Sequence, residues 1–357
     1  MQIFGNVRAL VLSLGYVCYL LAYLLGLKKA ESFQNNFDAS RREIALSNLI
    51  FRPFWKSGQA FRKAIPGFAP NVYIKFMGLE PHQDPTLHFL RNSKPDGPWM
   101  KRVITSKQDL NSTESKLRVA LHIHVYYPEL LSPILQALNT NRARPDLFLT
   151  HFGGTNQSQV EQAISAYSGV AKSIILKTNI GRDLGPFFTH LPESFFSDYE
   201  VVGHLHTKKS EDHRQMEGVK GWFEFCVGNL LGTKSSPGML DHTLSAFASN
   251  QKLGIVYPDD PHIIGWSANY KHAVELVGGE HLPDESEMFD FPIGSFFLVR
   301  PRALEPLLKL ELRDENYPVE PIPYDGTTLH ALERLIGIVP RQAGFETAVT
   351  YVSSLYR

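Results

Sequence analysis

Cysteine is nearly absent from this chain, with only Cys18 and Cys226 in 357 residues. Two thiols cannot build a disulfide framework, and the count fits a reducing compartment. Net charge is missing too: 36 basic residues balance 36 acidic ones. The chain as a whole therefore has no electrostatic bias toward nucleic acid. Two glycine signatures are also lacking. The strand that would open a dinucleotide fold runs into HVYYPELL without a glycine, and no G-x-x-x-x-G-K-[ST] occurs. These absences argue against a nicotinamide-type dinucleotide site and a P-loop NTPase. No internal repeat is visible. Finally, the strand end VVGHLHTKKS carries no carboxylate; it presents His204 and His206, then Lys208 and Lys209.

What is present suits a globular core. Hydrophobic residues make up 43% of the chain, and the length allows one large domain with an extension, or two domains. Ala9 to Leu27 is an uncharged run of nineteen residues, flanked by Arg8 and by Lys28 and Lys29. That length matches a helix crossing a hydrocarbon core. A helix buried against the protein and a cleaved signal peptide are the rival readings, although no small-x-small cleavage site follows. The lysines after the run favour a cytoplasmic main body. From Ile44 to Leu79 there is no acidic residue, and Arg52, Lys56, Arg62, Lys63 and Lys75 alternate with large aromatics. Such a segment suits an anionic lipid surface, or an irregular arm packed on the protein. Residues 80–115, rich in Pro, Asp, Asn, Ser and Lys, read as linker.

From Lys116 the pattern changes to strand-then-helix units. KLRVALHIHVYY, PDLFLTHF, AKSIILKTN and DYEVVGHLHT read as strands, with helical patterns such as PELLSPILQALNT and SQVEQAISAYSG between them. Near-continuous apolar strands separated by amphipathic helices predict an α/β, Rossmann-type, mostly parallel sheet with helices on both faces. Helices around 217–231 and 238–250, a strand GIVYP, a strand pair in FPIGSFFLVRPRAL and a helix in DGTTLHALERLIG follow.

Strand alternation puts His122, His124 and Tyr126 on one face, with His124 and Tyr126 near the C-terminal end, where open α/β sheets meet ligands. Asn179 to Phe187, NIGRDLGPF, follows the third strand. Gly181 and Gly185 permit close backbone approach, while Arg182 offers a bidentate cation and Asp183 a carboxylate; a structural Arg182–Asp183 pair is the bland alternative. His204 and His206 share a face. Two imidazoles suit a transition metal better than Mg²⁺, whereas Lys208 and Lys209 suit phosphate charge directly. A solvated basic turn is the bland reading. In FPIGSFFLVRPRAL an apolar core strand with surface arginines accounts for most residues. Asp325 is placed to be the N-cap of the last helix, and an ionised cap can also act as a weak base.

The ordered set NIGRDLGPF, HLHTKKS, GIVYP, FPIGSFFLVRPRAL and PYDGTTLHALERL resembles the rhamnan synthesis protein F family, over roughly residues 116–345. More distantly it is similar to inverting transferases of the glycosyltransferase-A fold. By order, Asn179, Gly181 and Gly185 match those enzymes' first Asn/Gly motif. His204 and His206 stand in place of Asp-x-Asp, and Asp325 in place of the catalytic base. The resemblance implies inverting transfer of a deoxysugar, rhamnose from dTDP-rhamnose, to a lipid-linked surface glycan at the cytoplasmic face of a bacterial inner membrane. The histidines put a Mg²⁺ or Mn²⁺ requirement in doubt.

The expected layout is a membrane-anchor segment at 1–30, a basic-aromatic arm and linker at 31–115, and a glycosyltransferase-A-like domain at 116–357. His124, Tyr126, Asn179, Gly181, Arg182, Asp183 and Gly185 would bind the nucleotide sugar. His204, His206, Lys208 and Lys209 would meet the diphosphate, and Asp325 would take the acceptor proton. Expected partners are a nucleotide-sugar donor, a glycan or lipid-linked glycan acceptor and a membrane surface, with no nucleic acid. Two rivals remain: a non-catalytic transferase-like scaffold of a polysaccharide-assembly complex, and a sugar-phosphate or phosphodiester enzyme using His204, His206 and a metal.

Overall fold

A computed structural model of the chain describes residues 65–80, 85, 88–89, 92–106, 117–207, 216–260 and 264–355. The chain divides into two compact units, residues 1–101 with 261–264 and 356, and residues 102–260 with 265–355 and 357.

In the first unit, helix α1 (Pro70–Met77) starts on a proline, whose fixed φ suits a first turn, and stops at Gly78 in the left-handed conformation. Its buried side organises a small aromatic core. Phe68 stacks on Phe89 at 4.4 Å, and Tyr73 meets Trp99 edge-on at 5.0 Å. Phe68 and Tyr73, two aromatics that suited a lipid surface in the sequence, are thus core residues, while Phe76 stays exposed. The apolar run 9–27 and the arm up to residue 64 lie outside the described residues. Among the described residues no helix is long and apolar enough to cross a membrane.

The second unit is an eight-stranded sheet. Its strands are β1 (Arg102–Ile104), β2 (Val119–Val125), β3 (Asp146–Phe152), β4 (Ala171–Leu176), β5 (Val201–His206), β6 (Leu253–Pro258), β7 (Phe297–Val299) and β8 (Glu346–Thr350), in the order β1-β8-β6-β7-β5-β2-β3-β4. β7 runs antiparallel to β5 and β6, and the other pairings are parallel. The helices described are α2 (Leu131–Leu138), α3 (Thr155–Ile164), α4 (Ser194–Ser197), α5 (Met216–Leu231), α6 (Met239–Ser249), α7 (Tyr270–Val277), α8 (Glu305–Leu308) and α9 (Thr328–Gln342).

The two faces of the central strands differ. Leu121, Ile123 and Val125 of β2 and Val201 and Leu205 of β5 join α2, α5 and α6 in one apolar core. Gly203 fits there because a Cβ would come within 2.4 Å of Leu121 and 2.7 Å of Leu298. The opposite face carries the histidines.

Two expectations are corrected. The stretch taken as linker contains β1, whose Arg102, Val103 and Ile104 pair with Ala348, Val349 and Thr350 of β8. Three residues are too few to show alternation in sequence. FPIGSFFLV is not a strand pair: only Phe297–Val299 is extended, and Gly294 and Ser295 both have positive φ in the turn before it.

Candidate functional site

The parallel register of β2 and β5 sets His122 beside His204 and His124 beside His206, a two-by-two block of imidazoles on one sheet face. All four are buried. Buried polar groups must satisfy one another, and here they form a chain. His124 Nδ1 lies 3.0 Å from Thr150 Oγ1, which lies 2.8 Å from His122 Nε2; His122 Nδ1 lies 3.1 Å from His204 Nδ1. His204 Nε2 then faces Asp183 Oδ2 at 3.5 Å.

With neutral rings, one proton assignment serves every link. His124 Nδ1–H donates to Thr150, Thr150 O–H to His122 Nε2, His122 Nδ1–H to His204 Nδ1, and His204 presents Nε2–H to Asp183. The reverse order would turn a bare nitrogen toward the carboxylate. Neutrality suits His122, whose pKa burial and the neighbouring His204 and His124 hold well below the ordinary range. At Asp183, burial pushes the carboxyl up. The neighbouring His206 and His204 outweigh burial and hold it well below the usual carboxylate range. The block therefore carries an anion at its end.

That anion faces a cleft of about 160 Å³ lined by Gly181–Leu184, His206, Gly294, Ser295, Leu329, His330 and Glu333. The cleft lies at the C-terminal end of β5. Strands β2, β3 and β4 are laid down to one side of β2, and β5 returns on the other, so this is the switch point where open α/β sheets take ligands.

The loop 179–185 closes one wall. Gly181 has φ 75°, and a Cβ on it would meet Gly185 Cα at 2.5 Å; a Cβ on Gly185 would meet the Ile180 carbonyl oxygen at 2.6 Å. Gly185 itself is right-handed, so it is required for close approach rather than for φ. Arg182 does not pair with Asp183; its Nε donates to Glu320 Oε1 at 2.9 Å.

Gly294 forms the opposite wall, clamped from two sides. His206 Nε2 donates to its carbonyl at 2.9 Å, and its N–H donates to Glu333 Oε1 of α9. Its φ is 77°, and a Cβ would lie 1.9 Å from the Trp222 ring. Gly294→Ala is expected to cost about 1–2 kcal/mol from the backbone conformation alone, and more because the indole must move. Urea unfolding would measure the loss; an unchanged midpoint would mean the turn relaxes freely.

α9 brings its own carboxylate into the cleft. Burial pushes the Glu333 carboxyl up to about 7; Asp183 and Asp325 add to the shift, while Arg334 and the Gly294 N–H oppose it. The N-cap of α9 is Thr327 and not Asp325. The start of the helix is tied by Asn269, whose Oδ1 accepts the N–H groups of Gly326 (3.0 Å) and Thr327 (3.2 Å). Asp325 Oδ1 instead accepts from Asn269 Nδ2 at 2.6 Å and pairs with Arg334 Nη2 at 3.4 Å. Burial would raise its pKa, but Asn269 and Arg334 win and hold it low. Asp325 does not line the cleft.

Of the residues singled out in the sequence, Gly181, Arg182, Asp183 and His206 meet in the cleft. His204 lies behind Asp183, and His124 ends the hydrogen-bonded chain. Tyr126 follows β2, where its backbone N–H is held by Thr207 Oγ1 at 2.9 Å. Asn179 opens the loop with a buried side-chain oxygen that has no partner among the described residues. Lys208 and Lys209 lie outside the described residues.

His204 and His206 each have one ring nitrogen engaged by the protein. Nδ1 of His204 is bound to His122, Nε2 of His206 to Gly294, and the ring centres are 6.3 Å apart. Among the described residues no cluster of three or more His, Cys, Asp or Glu could hold a metal ion. Among the described residues the two imidazoles therefore lack the third donor of a protein-held metal site.

Glu333, His330, Asn269 and Arg334 were missed in the sequence. One signal was available: Glu333 and His330 lie off the apolar stripe of α9, three residues apart, and so share a face.

Counted from β2, the strand order is 3-2-1-4-6-5-7 with the sixth strand reversed. With a cleft at the switch point, this defines an open, mostly parallel α/β protein of the Rossmann type. The chain belongs to the family described as rhamnan synthesis protein F, whose profile matches residues 86–345. Two curated relatives, from two strains of Xanthomonas campestris pv. campestris, are both named uncharacterized protein WxcX. Each is 26% identical over 249 residues, covering 68% of this chain and 34% of the relative. The chain thus spans about a third of their length. Solved structures with distant similarity include glucosyl-3-phosphoglycerate synthase from Mycobacterium tuberculosis in complex with Mn²⁺ and UDP (10% identity, 70% of this chain and 76% of that one, TM-score 0.31). Another is core-mannan synthase A from Aspergillus fumigatus in a Mn/GDP form (11% identity, 71% and 79%, TM-score 0.32).

Proposed function

We propose that this chain is a glycosyltransferase that moves a sugar from a nucleoside diphosphate to a glycan acceptor. The observation that carries the reading is the cleft at the switch point, where an ionised Asp183, the Gly181–Gly185 loop and a carboxylate on α9 converge. Asp183 would accept hydrogen bonds from the donor's hydroxyl groups. Lys208 and Lys209 would receive the diphosphate, their positive charges offsetting that of the leaving group. In a single displacement with inversion, the acceptor oxygen bonds to the anomeric carbon as the bond to the diphosphate breaks. The electron pair leaves with the nucleotide, and the acceptor proton passes to a base.

Family membership favours rhamnose as the sugar, dTDP-rhamnose as the donor and a surface polysaccharide as the product. A lipid-linked acceptor would give the apolar run 9–27 a purpose at the cytoplasmic face of a bacterial inner membrane. The test is a thermal-shift series with dTDP, UDP and GDP, each with and without Mn²⁺. One nucleotide is expected to raise the melting temperature, and dTDP the most. If none does, the transferase reading fails and the scaffold alternative takes its place.

A further inference from the structure

Three carboxylates stand at or beside the cleft, and their surroundings separate their tasks. Asp183 ends the histidine chain and faces the N–H of His204. Asp325 is bound by Asn269 and Arg334 and lies off the cleft wall. Both are stabilised as anions, and an anion so stabilised is a weak proton acceptor. Glu333 differs. It sits on the α9 wall, its side chain is 16% exposed, Oε1 accepts the Gly294 N–H, and Oε2 is 3.5 Å from Arg334 Nη1.

We infer that Glu333, rather than Asp325, is the general base that takes the acceptor's proton; the inference rests on the transferase reading. The proton leaves the acceptor hydroxyl as its oxygen bonds to the anomeric carbon, and ends on a Glu333 carboxylate oxygen. Asp325, through Arg334 and Asn269, positions the helix that carries Glu333.

The electrostatics agree with the geometry. Burial sets the Glu333 carboxyl at about 7, the range in which a base is both available and strong enough to act near neutral pH. The groups around it are Arg334 and His330 on its own helix, Asp325 before that helix, Asp183 and Arg182 on the loop, and His206 on β5. His330 is the competing acceptor. Its Nδ1 is 2.8 Å from Thr327 Oγ1, and burial lowers its pKa. A base whose pKa is lowered from the ordinary imidazole range shows its rise in rate below that range and not through pH 7.

Glu333→Gln separates a base from a structural clamp, because the glutamine oxygen can still accept the Gly294 N–H. Transfer by the full chain from the nucleotide sugar that stabilises it most is expected to fall about 100- to 10,000-fold, the range for loss of a general base. The nucleotide thermal shift should persist, and the wild-type rise in rate through pH 7 should disappear. His330→Gln should keep that rise even if its rate is lower.

Stability gives a second readout. Because the folded carboxyl is raised, its neutral form favours folding at low pH, and that contribution is lost as pH climbs from about 4.5 through about 7. The melting-temperature advantage of Glu333→Gln over wild type should therefore grow across that window and then level off. A variant retaining transfer within tenfold of wild type makes Glu333 a clamp and overturns the inference alone. Wild-type protein that neither binds nor turns over any nucleotide sugar overturns the transferase reading, and the inference with it.

Discussion

Arg334→Ala is expected to destabilise the protein by about 3–5 kcal/mol, the cost of removing one partner from a buried ion pair. The Arg334 side chain is 5% exposed and joins several elements. Its Nε donates to the Gly265 carbonyl at 3.1 Å and its Nη1 to the His330 carbonyl at 2.8 Å. It also reaches Asp325 at 3.4 Å and Glu333 at 3.5 Å, and its guanidinium lies 4.9 Å from the Phe291 ring centre. Alanine leaves two partly buried carboxylates without their cation and removes a side-chain donor from the Gly265 and His330 carbonyls. Arg334→Lys keeps the charge but loses the planar fork, so an intermediate loss is expected. Urea denaturation of both variants at pH 7 provides the measurement. A midpoint shift below that of an ordinary surface substitution would show that the network is dispensable.

The second large effect belongs to Asp183→Asn. The size is nearly unchanged, but the acceptor for His204 Nε2–H becomes half donor. If the new amide turns its nitrogen inward, two donors meet at 3.5 Å and the chain through His122, Thr150 and His124 loses its direction. If it turns its oxygen inward, the cleft gains an N–H where it held an anion. Losing a charge-assisted hydrogen bond is worth about 1.5–3 kcal/mol, so nucleotide-sugar binding should weaken by about 10- to 150-fold.

Stability should follow the linkage sign of a depressed carboxyl. The contribution is present above the unfolded value of about 4 and is lost as pH falls toward the depressed folded value. The variant's deficit should therefore be full at pH 7 and shrink in acid. Calorimetric titration with the stabilising nucleotide, and unfolding at pH 7 and pH 3, would check both. Unaltered binding together with unaltered stability at pH 7 would remove Asp183 from the site.

These two predictions differ in how far the sequence led to them. Asp183 was legible because NIGRDLG carries more special residues than a turn requires, and because strand ends are where ligands are met. Its partner was not. The only pairing the sequence offered, as the bland alternative, was Arg182–Asp183, neighbours in the chain, whereas the structure pairs Arg182 with Glu320 and Asp183 with His204. Arg334 was invisible because nothing local marks an arginine that bonds a carbonyl 69 residues away. Asp325 was read as a cap from its position before the helix. The N-cap is Thr327, two residues later, and the turn leading into it is held by Asn269, 57 and 58 residues distant from the amides it binds.

The sequence by itself determined strands β2 to β6, their alternation and the helices between them, because those follow from side-chain periodicity within a few residues. It also determined that His122, His124, His204 and His206 point in pairs to one face of their strands. Only the tertiary structure decided that the two pairs are adjacent. Their contact depends on β5 returning beside β2 after two strands were laid down on the other side. The same folding step brings Asp183 over the end of β5, inserts β7 antiparallel and sets Gly294 between His206 and Glu333. These contacts join residues from 21 to 88 positions apart, as the pairs Asp183–His204 and His206–Gly294 illustrate. They are fixed by sheet order and close packing, which no local pattern encodes.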